Sequence, residues 1–259
     1  MSAPVFLVDS SHLRDYKVGD KVLLDGDEGR HAGTVQRKRP GEHVDLVDGQ
    51  GTRLRCQVQD IQKSGVTLGV EEVITEPAPN IEVTLVQALA KGDRDEQAIE
   101  MATEAGIDKV LPWQADRSIV IWRGARAAKS QARWLATIRA ATKQSRRAFL
   151  PKLENDVNSK ELANLIKGVT ENQGVVYVLH ESGENALASD PVFLTLQDSV
   201  QTTEILIVIG PEGGITETEL QAFEKNGARI VRLGPGVLRT STAGVVALSL
   251  LSLKIGRWN

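Results

Sequence analysis

Two apolar runs late in the chain, EILIVIG (204–210) and ARIVRLG (228–234), each break into a loop that opens on Gly-Pro. The loops read IGPEGGIT (209–216) and LGPGVLRTSTA (233–243). Runs of this length and composition are buried strands. Glycine permits positive φ and lets a ligand touch the main chain, so two such loops at neighbouring strand ends predict a pocket walled by peptide groups. Either loop alone would be an ordinary strand-to-helix turn. Both lead into a helix, the first opened by Thr216 and Glu219 as a capping box, the second by Thr240 or Ser241 as N-cap.

The rest of the chain gives these loops a setting. From Ile81 onward strands and helices alternate: IEVTLVQAL, RDEQAIEMATEAG, KVLPWQA, a basic helix, a helix opened by Asn158 and Glu161, GVVYVLHE, and the two runs above. Such alternation predicts an α/β domain whose mostly parallel sheet is covered by helices on both faces, with ligands beyond the carboxyl ends of the strands. Residues 1 to 75 differ. Turn signals at RPGE, DGQG and KSG separate HVDLVD, TRLRCQVQDIQ and VTLGVEEVI, which predicts a small β-barrel, with EGRHAGTVQRKR (28–39) as an interposed helix. The prolines of ITEPAPN (74–80) bar regular structure, so the expected domains are 1–75 and 76–259.

With 259 residues, 41% of them hydrophobic, the chain can build a real core. GVVALSLLSL (244–253) is too short to span a bilayer, and MSAPVFLVDSS lacks a basic start and a signal-type apolar core, so a cytoplasmic protein without a membrane partner is expected. The lone Cys56 excludes an internal disulfide framework and reads as a small buried hydrophobe. His12, His31, His43 and His180 show no metal-ligand spacing, and no metal is expected.

A net charge of −3 conceals an asymmetry: Arg117 to Lys152 holds ten Lys or Arg and no Asp or Glu. On a helical wheel Arg126, Lys129, Arg133, Arg139, Lys143 and Arg146 lie opposite Ala127, Trp134, Ile138 and Ala141. One face packs; the other offers positive charge to a polyanion or to solvent.

Neither GxGxxG after the first strand of the α/β part nor GxxxxGK[ST] is present, which disfavours a dinucleotide oxidoreductase or a phosphate-loop NTPase. Instead IGPEGG, LGPGVLRTSTA, KGDRDEQAIEMATEAGIDKVLPWQADRS (91–118), KQSRR before Pro151, and GRHAGTVQRKRPGE together resemble the ribosomal small-subunit methyltransferase E family of the SPOUT superfamily. The resemblance implies a PUA-like RNA-binding barrel followed by a methyltransferase domain with a C-terminal trefoil knot, working as a homodimer. It implies S-adenosylmethionine as cofactor and N3 of a uridine in 16S ribosomal RNA, free or within the small subunit, as target. Carried onto this chain, the cofactor site comprises Leu179, His180, Ile209, Gly210, Glu212, Gly213, Gly214, Leu233, Gly234, Val237 and Leu238. Relatives often carry Arg at the place of Gly236 and Glu at the place of Ser241.

N3 of uracil must give up its proton before it can take a methyl group, which spreads negative charge over the flanking carbonyl oxygens, and a nearby cation stabilises that charge. Arg239 is the candidate cation; the alternative is a structural ion pair, with Glu212 as its partner. Glu212 itself reads as a loop organiser rather than a base. Because N3 lies on the pairing edge, the base must leave its helix to react. Arg30, Arg37, Arg39, Arg139, Lys143, Arg146 and Arg147 are expected to follow phosphates, with His31 and Gln144 as candidate base contacts. A ribose 2′-hydroxyl enzyme and a catalytically silent RNA-binding module remain as alternatives.

Overall fold

A computed structural model describes residues 3–8, 13–198 and 202–258; His12 lies outside them. The chain forms two compact units, one of residues 1–78 with 139–150, the other of 79–138 with 151–259.

In the first unit β1 (Val5–Leu7), β2 (Lys21–Leu24), β3 (His43–Val47), β4 (Thr52–Gln62) and β5 (Gly65–Thr75) form one sheet in the order β1-β3-β4-β5-β2. Only the β1–β3 pairing is parallel. The long β4–β5 hairpin carries bulges near Cys56 and Asp60, where its register shifts. Alternate residues from all five strands, among them Phe6, Leu24, Leu46, Leu54 and Leu68, meet in one core. β1 and β2 do not pair among the described residues, so the expected barrel is a sheet with two edges wrapped on a single core. The expected helix over 28–39 is shorter: α1 (Gly26–Arg30) continues as one π-helical stretch, His31–Val35, and stops before Arg37, whose φ is +51°. Cys56 is buried, and burial, with Asp45 and Glu71 adding to it, pushes its thiol up to about 12.

The second unit contains β6 (Glu82–Ala88), α2 (Arg94–Glu104) and β7 (Lys109–Gln114), then α3 (Ala125–Gln144), which continues into the first unit's 139–150 segment. There follow β8 (Lys152–Leu153), β9 (Val157–Asn158), α4 (Ser159–Glu171), β10 (Val175–Leu179), β11 (Asn185–Ala186) and α5 (Pro191–Thr195). Last come β12 (Glu204–Ile209), α6 (Glu217–Lys225), β13 (Arg229–Arg232) and α7 (Thr240–Lys254). The sheet runs β11-β13-β10-β12-β6-β7-β8 with β9 also on β7, and every pairing is parallel.

Because successive residues of a strand face opposite ways, β6, β10 and β12 serve two layers at once. Val86, Val176, Val178, Leu206 and Val208 pack under α4 and α6 with Trp113 and Phe223, whose rings meet edge to face at 5.5 Å. The other face receives α2 and α7. Two capping boxes form as expected, Asn158 with Glu161 on α4 and Thr216 with Glu219 on α6. The third cap differs. Arg239 is the N-cap of α7 and no side chain caps it, since the Thr240 hydroxyl is bonded elsewhere.

Candidate functional site

The carboxyl ends of β10, β12 and β13 open onto a cleft of about 770 Å³. Its walls are the two glycine loops, and it is lined by Leu179, His180, Ile209, Gly210, Glu212, Gly213, Gly214, Leu233, Gly234, Val237, Leu238 and Arg239. The eleven positions carried over for a cofactor and the candidate cation therefore meet in one place. Arg94, Arg117, Arg232, Thr240 and Ala243 line it as well.

The first loop is shaped by close packing. At Gly210 a Cβ would lie 2.6 Å from Ile215 Cγ1, so any side chain there would force the buried Ile215 side chain to move. At Gly214 φ is +76° and the N–H donates to the Pro211 carbonyl at 2.9 Å, a tight turn that other residues adopt only under strain. The second loop is open: a Cβ at Gly234 or Gly236 would meet nothing within 4 Å. Ser241, by contrast, is buried in the first turn of α7.

Two arginines, Arg94 at the start of α2 and Arg117 in the loop after β7, hold the first loop. Arg94 pairs with Glu212 at 3.1 Å, and the Lys91 N–H donates to the same oxygen at 3.2 Å. Arg117 donates to the Gly213 carbonyl at 3.1 Å. Glu212 therefore joins the first loop to Lys91 and Arg94, and its ion-pair partner is Arg94 rather than Arg239. Arg239 is exposed and makes no ion pair among the described residues. Its backbone carbonyl accepts from the N–H groups of Thr242 and Ala243, which starts α7 whatever side chain it bears.

Behind the loop, Glu219 is 3% exposed and accepts from the Asp116 N–H at 2.9 Å, the Ser159 hydroxyl at 2.6 Å, and the Thr216 N–H and hydroxyl at 2.8 Å each. Ser159 in turn accepts from the Trp113 indole at 3.2 Å. Burial works to raise the Glu219 carboxyl, but these hydrogen bonds outweigh it and hold it below its ordinary value. His180 is half-buried; its ring nitrogen Nδ1 lies 2.7 Å from the Ser182 hydroxyl, and its backbone N–H donates to the Val231 carbonyl at 3.0 Å.

The basic residues divide into engaged and open ones. On α3, Trp134, Ile138 and Ala141 are buried as the wheel predicts. Arg133 pairs with Glu96 at 2.6 Å and Lys143 with Glu28 at 2.7 Å, while Arg139 and Arg147 are not free either. Arg146 is exposed, with φ +59°, beyond the helix end. Arg126 and Lys129, in the first turns, are exposed and make no ion pair among the described residues. In the first unit Arg30 pairs with Asp27, His31 sets its ring edge-on to Phe6 at 5.9 Å, and Arg37 and Arg39 are exposed. No group able to hold a metal ion occurs among the described residues, and none of their helices is long and apolar enough to cross a membrane.

A family model described as an RNA methyltransferase domain matches residues 76–252, and one described as an RNA methyltransferase PUA domain matches 24–71. A ribosomal RNA small subunit methyltransferase E from Mycobacterium bovis is 41% identical over 259 residues, covering 100% of this chain and 95% of the relative. One from Bacillus subtilis is 32% identical, covering 88% of each. A solved ribosomal RNA small subunit methyltransferase E from Neisseria gonorrhoeae, bound to S-adenosyl methionine, superposes with a TM-score of 0.82 at 25% identity over 97% of this chain and 98% of that one. On this identity across its whole length, and with both of its domain types matched in order, the chain belongs to the ribosomal RNA small subunit methyltransferase E family.

Proposed function

We propose that this protein binds S-adenosylmethionine in the cleft between its two glycine loops and methylates N3 of a uridine in 16S ribosomal RNA. The observation that carries the reading is that cleft: two loops separated in sequence converge on one space of about 770 Å³, within the range that accommodates a nucleoside-sized ligand. Its lining fits the ligand. Leu179, Ile209, Leu233 and Leu238 offer apolar faces to an adenine, the loop backbone offers hydrogen bonds, and the open ground at Gly234 and Gly236 leaves room for it.

When bound, the cofactor supplies an electrophilic methyl group. The chain's own work is positioning and charge. Arg94 and Arg117 hold the first loop still from two sides, and Arg239 faces the cleft with its charge uncommitted. Placed beside an N3-deprotonated uracil, the guanidinium would stabilise the negative charge on its carbonyl oxygens. We assign residues 1–75 to an RNA-binding module and 76–259 to the methyltransferase module. The strand order supports a knotted C-terminal segment, because β12 lies between β10 and β6 and the chain returns after β13 to pack α7 on α2, β6 and β12. The family resemblance supports a homodimer, and the exposed Leu253 and Trp258 offer apolar surface to a second copy.

Calorimetry with S-adenosylmethionine and nucleoside mass spectrometry test the reading together. Cells lacking the protein should lose 3-methyluridine from 16S RNA. Loss of a ribose methyl mark with 3-methyluridine intact would overturn the target, and absence of heat would indicate a silent RNA-binding protein.

For RNA affinity, Arg37, Arg39, Arg126, Lys129 and Arg146 are exposed cations available to phosphates. Reversing Arg126 and Lys129 to Glu is expected to weaken binding across all RNA sequences and to flatten the slope of affinity against salt by roughly one for each phosphate no longer neutralised. Lys143→Glu instead sets a negative charge against Glu28 and should act mainly through stability.

A further inference from the structure

We propose that Gln87 is a positioning residue for the cleft: its buried amide fixes the Thr240 hydroxyl, and through it the Gly210 carbonyl, so that one relay fastens the end of the second glycine loop to the start of the first. The inference rests on reading the cleft as the S-adenosylmethionine site.

Gln87 sits on β6 between β12 and β7 and is 0% exposed. A primary amide in the middle of a sheet is costly unless its hydrogen bonds are made. Its Nε2 donates to Thr240 Oγ1 at 2.9 Å and to the Ala88 carbonyl at 3.2 Å, while its Oε1 is buried without a hydrogen-bond partner among the described residues. The Ala88 carbonyl, which can only accept, decides which way the amide faces, since the reverse orientation would oppose two oxygens. Thr240 must therefore accept from Gln87. A hydroxyl has one hydrogen, and that of Thr240 is left to point at the Gly210 carbonyl, 2.8 Å away.

That carbonyl has unusual leverage. The peptide joining Gly210 to Pro211 has no N–H, because its nitrogen belongs to proline, and Gly210 has no side chain to wedge it. Its oxygen is the sole polar handle on the peptide plane, and Thr240 holds it. The next turn, closed by the Gly214 N–H on the Pro211 carbonyl, starts from this plane, so its tilt sets where the Pro211–Gly214 backbone faces the cleft. Thr240 is also the first residue of α7, directly after the second loop. This is the reason it does not serve as the helix cap.

The test is calorimetric titration of S-adenosylmethionine into wild type, Gln87→Met, Thr240→Val, Thr240→Ser and the Gln87→Met/Thr240→Val double variant, with thermal denaturation of each. Gln87→Met and Thr240→Val should each weaken binding roughly tenfold, the effect of freeing a buried hydrogen-bonding group. The double variant should be no weaker than the worse single one, since both break the same relay. Thr240→Ser, which keeps the hydroxyl, should bind as wild type does. If Gln87→Met lowers stability but binds normally, or if the two losses add, the inference is overturned. Should Gln87→Met not fold, Thr240→Val against Thr240→Ser decides: equal affinities overturn it. Wild type that takes up no S-adenosylmethionine overturns the reading of the cleft and this inference with it, whereas normal wild-type binding with unaffected variants overturns the inference alone.

Discussion

Replacing Arg239 by alanine is expected to lower kcat for methyl transfer by about 10²- to 10³-fold, the usual loss when one group that stabilises developing negative charge is removed. The Kd of S-adenosylmethionine should stay near its wild-type value. The fold should survive, because the guanidinium makes no ion pair among the described residues and the bonds that open α7 come from the Arg239 backbone. Arg239→Lys should recover part of the rate, since it restores charge without the planar fork. The checking measurement is single-turnover kinetics beside donor titration. A raised Kd with unchanged kcat would make Arg239 a binding residue, and no change in either would remove it from the mechanism.

Glu219→Ala should destabilise the protein by about 3 kcal/mol, since the buried carboxylate makes several charge-assisted hydrogen bonds whose donors would be left unpaired. The loss has a reach beyond α6. Glu219 ties the Asp116 backbone to the first turn of that helix, and Arg117, the next residue, holds the Gly213 carbonyl. Destabilisation and a weakened cleft should therefore appear together. The pH dependence has a definite sign. Because the folded-state pKa is depressed, the stabilisation is present in full above the ordinary value of 4.5 and is lost as pH falls through the lower folded value. Denaturant melts of wild type and Glu219→Ala should converge in that acid window; a constant gap would show that the carboxylate's charge is not what stabilises.

The sequence reveals what is local. Asn158 with Glu161 and Thr216 with Glu219 are legible because each capping box closes within three residues. The parallel sheet is legible from the near-continuous apolar runs, and the cleft from glycine and proline at the ends of two of them. What stays hidden depends on partners distant in sequence. The charges of α3 are plain, but that Lys143 is neutralised by Glu28 and Arg133 by Glu96 follows from folding alone. Thr240 looks like a cap because Thr before an apolar helix commonly is one; Gln87, far upstream, diverts its hydroxyl. Arg94 stands in the KGDRDEQ stretch that helps carry the family resemblance, yet its pairing with Glu212 requires the start of α2 to meet the first glycine loop.

The parallel arrangement of the second sheet also governs how the molecule comes together in time. In the first unit β4 and β5 are joined by Lys63 and Ser64 alone, so their pairing closes a minimal loop and can form early. In the second, β6 must wait for β12, with Glu82 opposite Glu204, and α7 must then settle on both. Non-local parallel pairing is slow. Refolding should therefore show an early phase in the hairpin sheet and a later one in which catalytic competence arrives, with the ligand cleft among the last features to take shape.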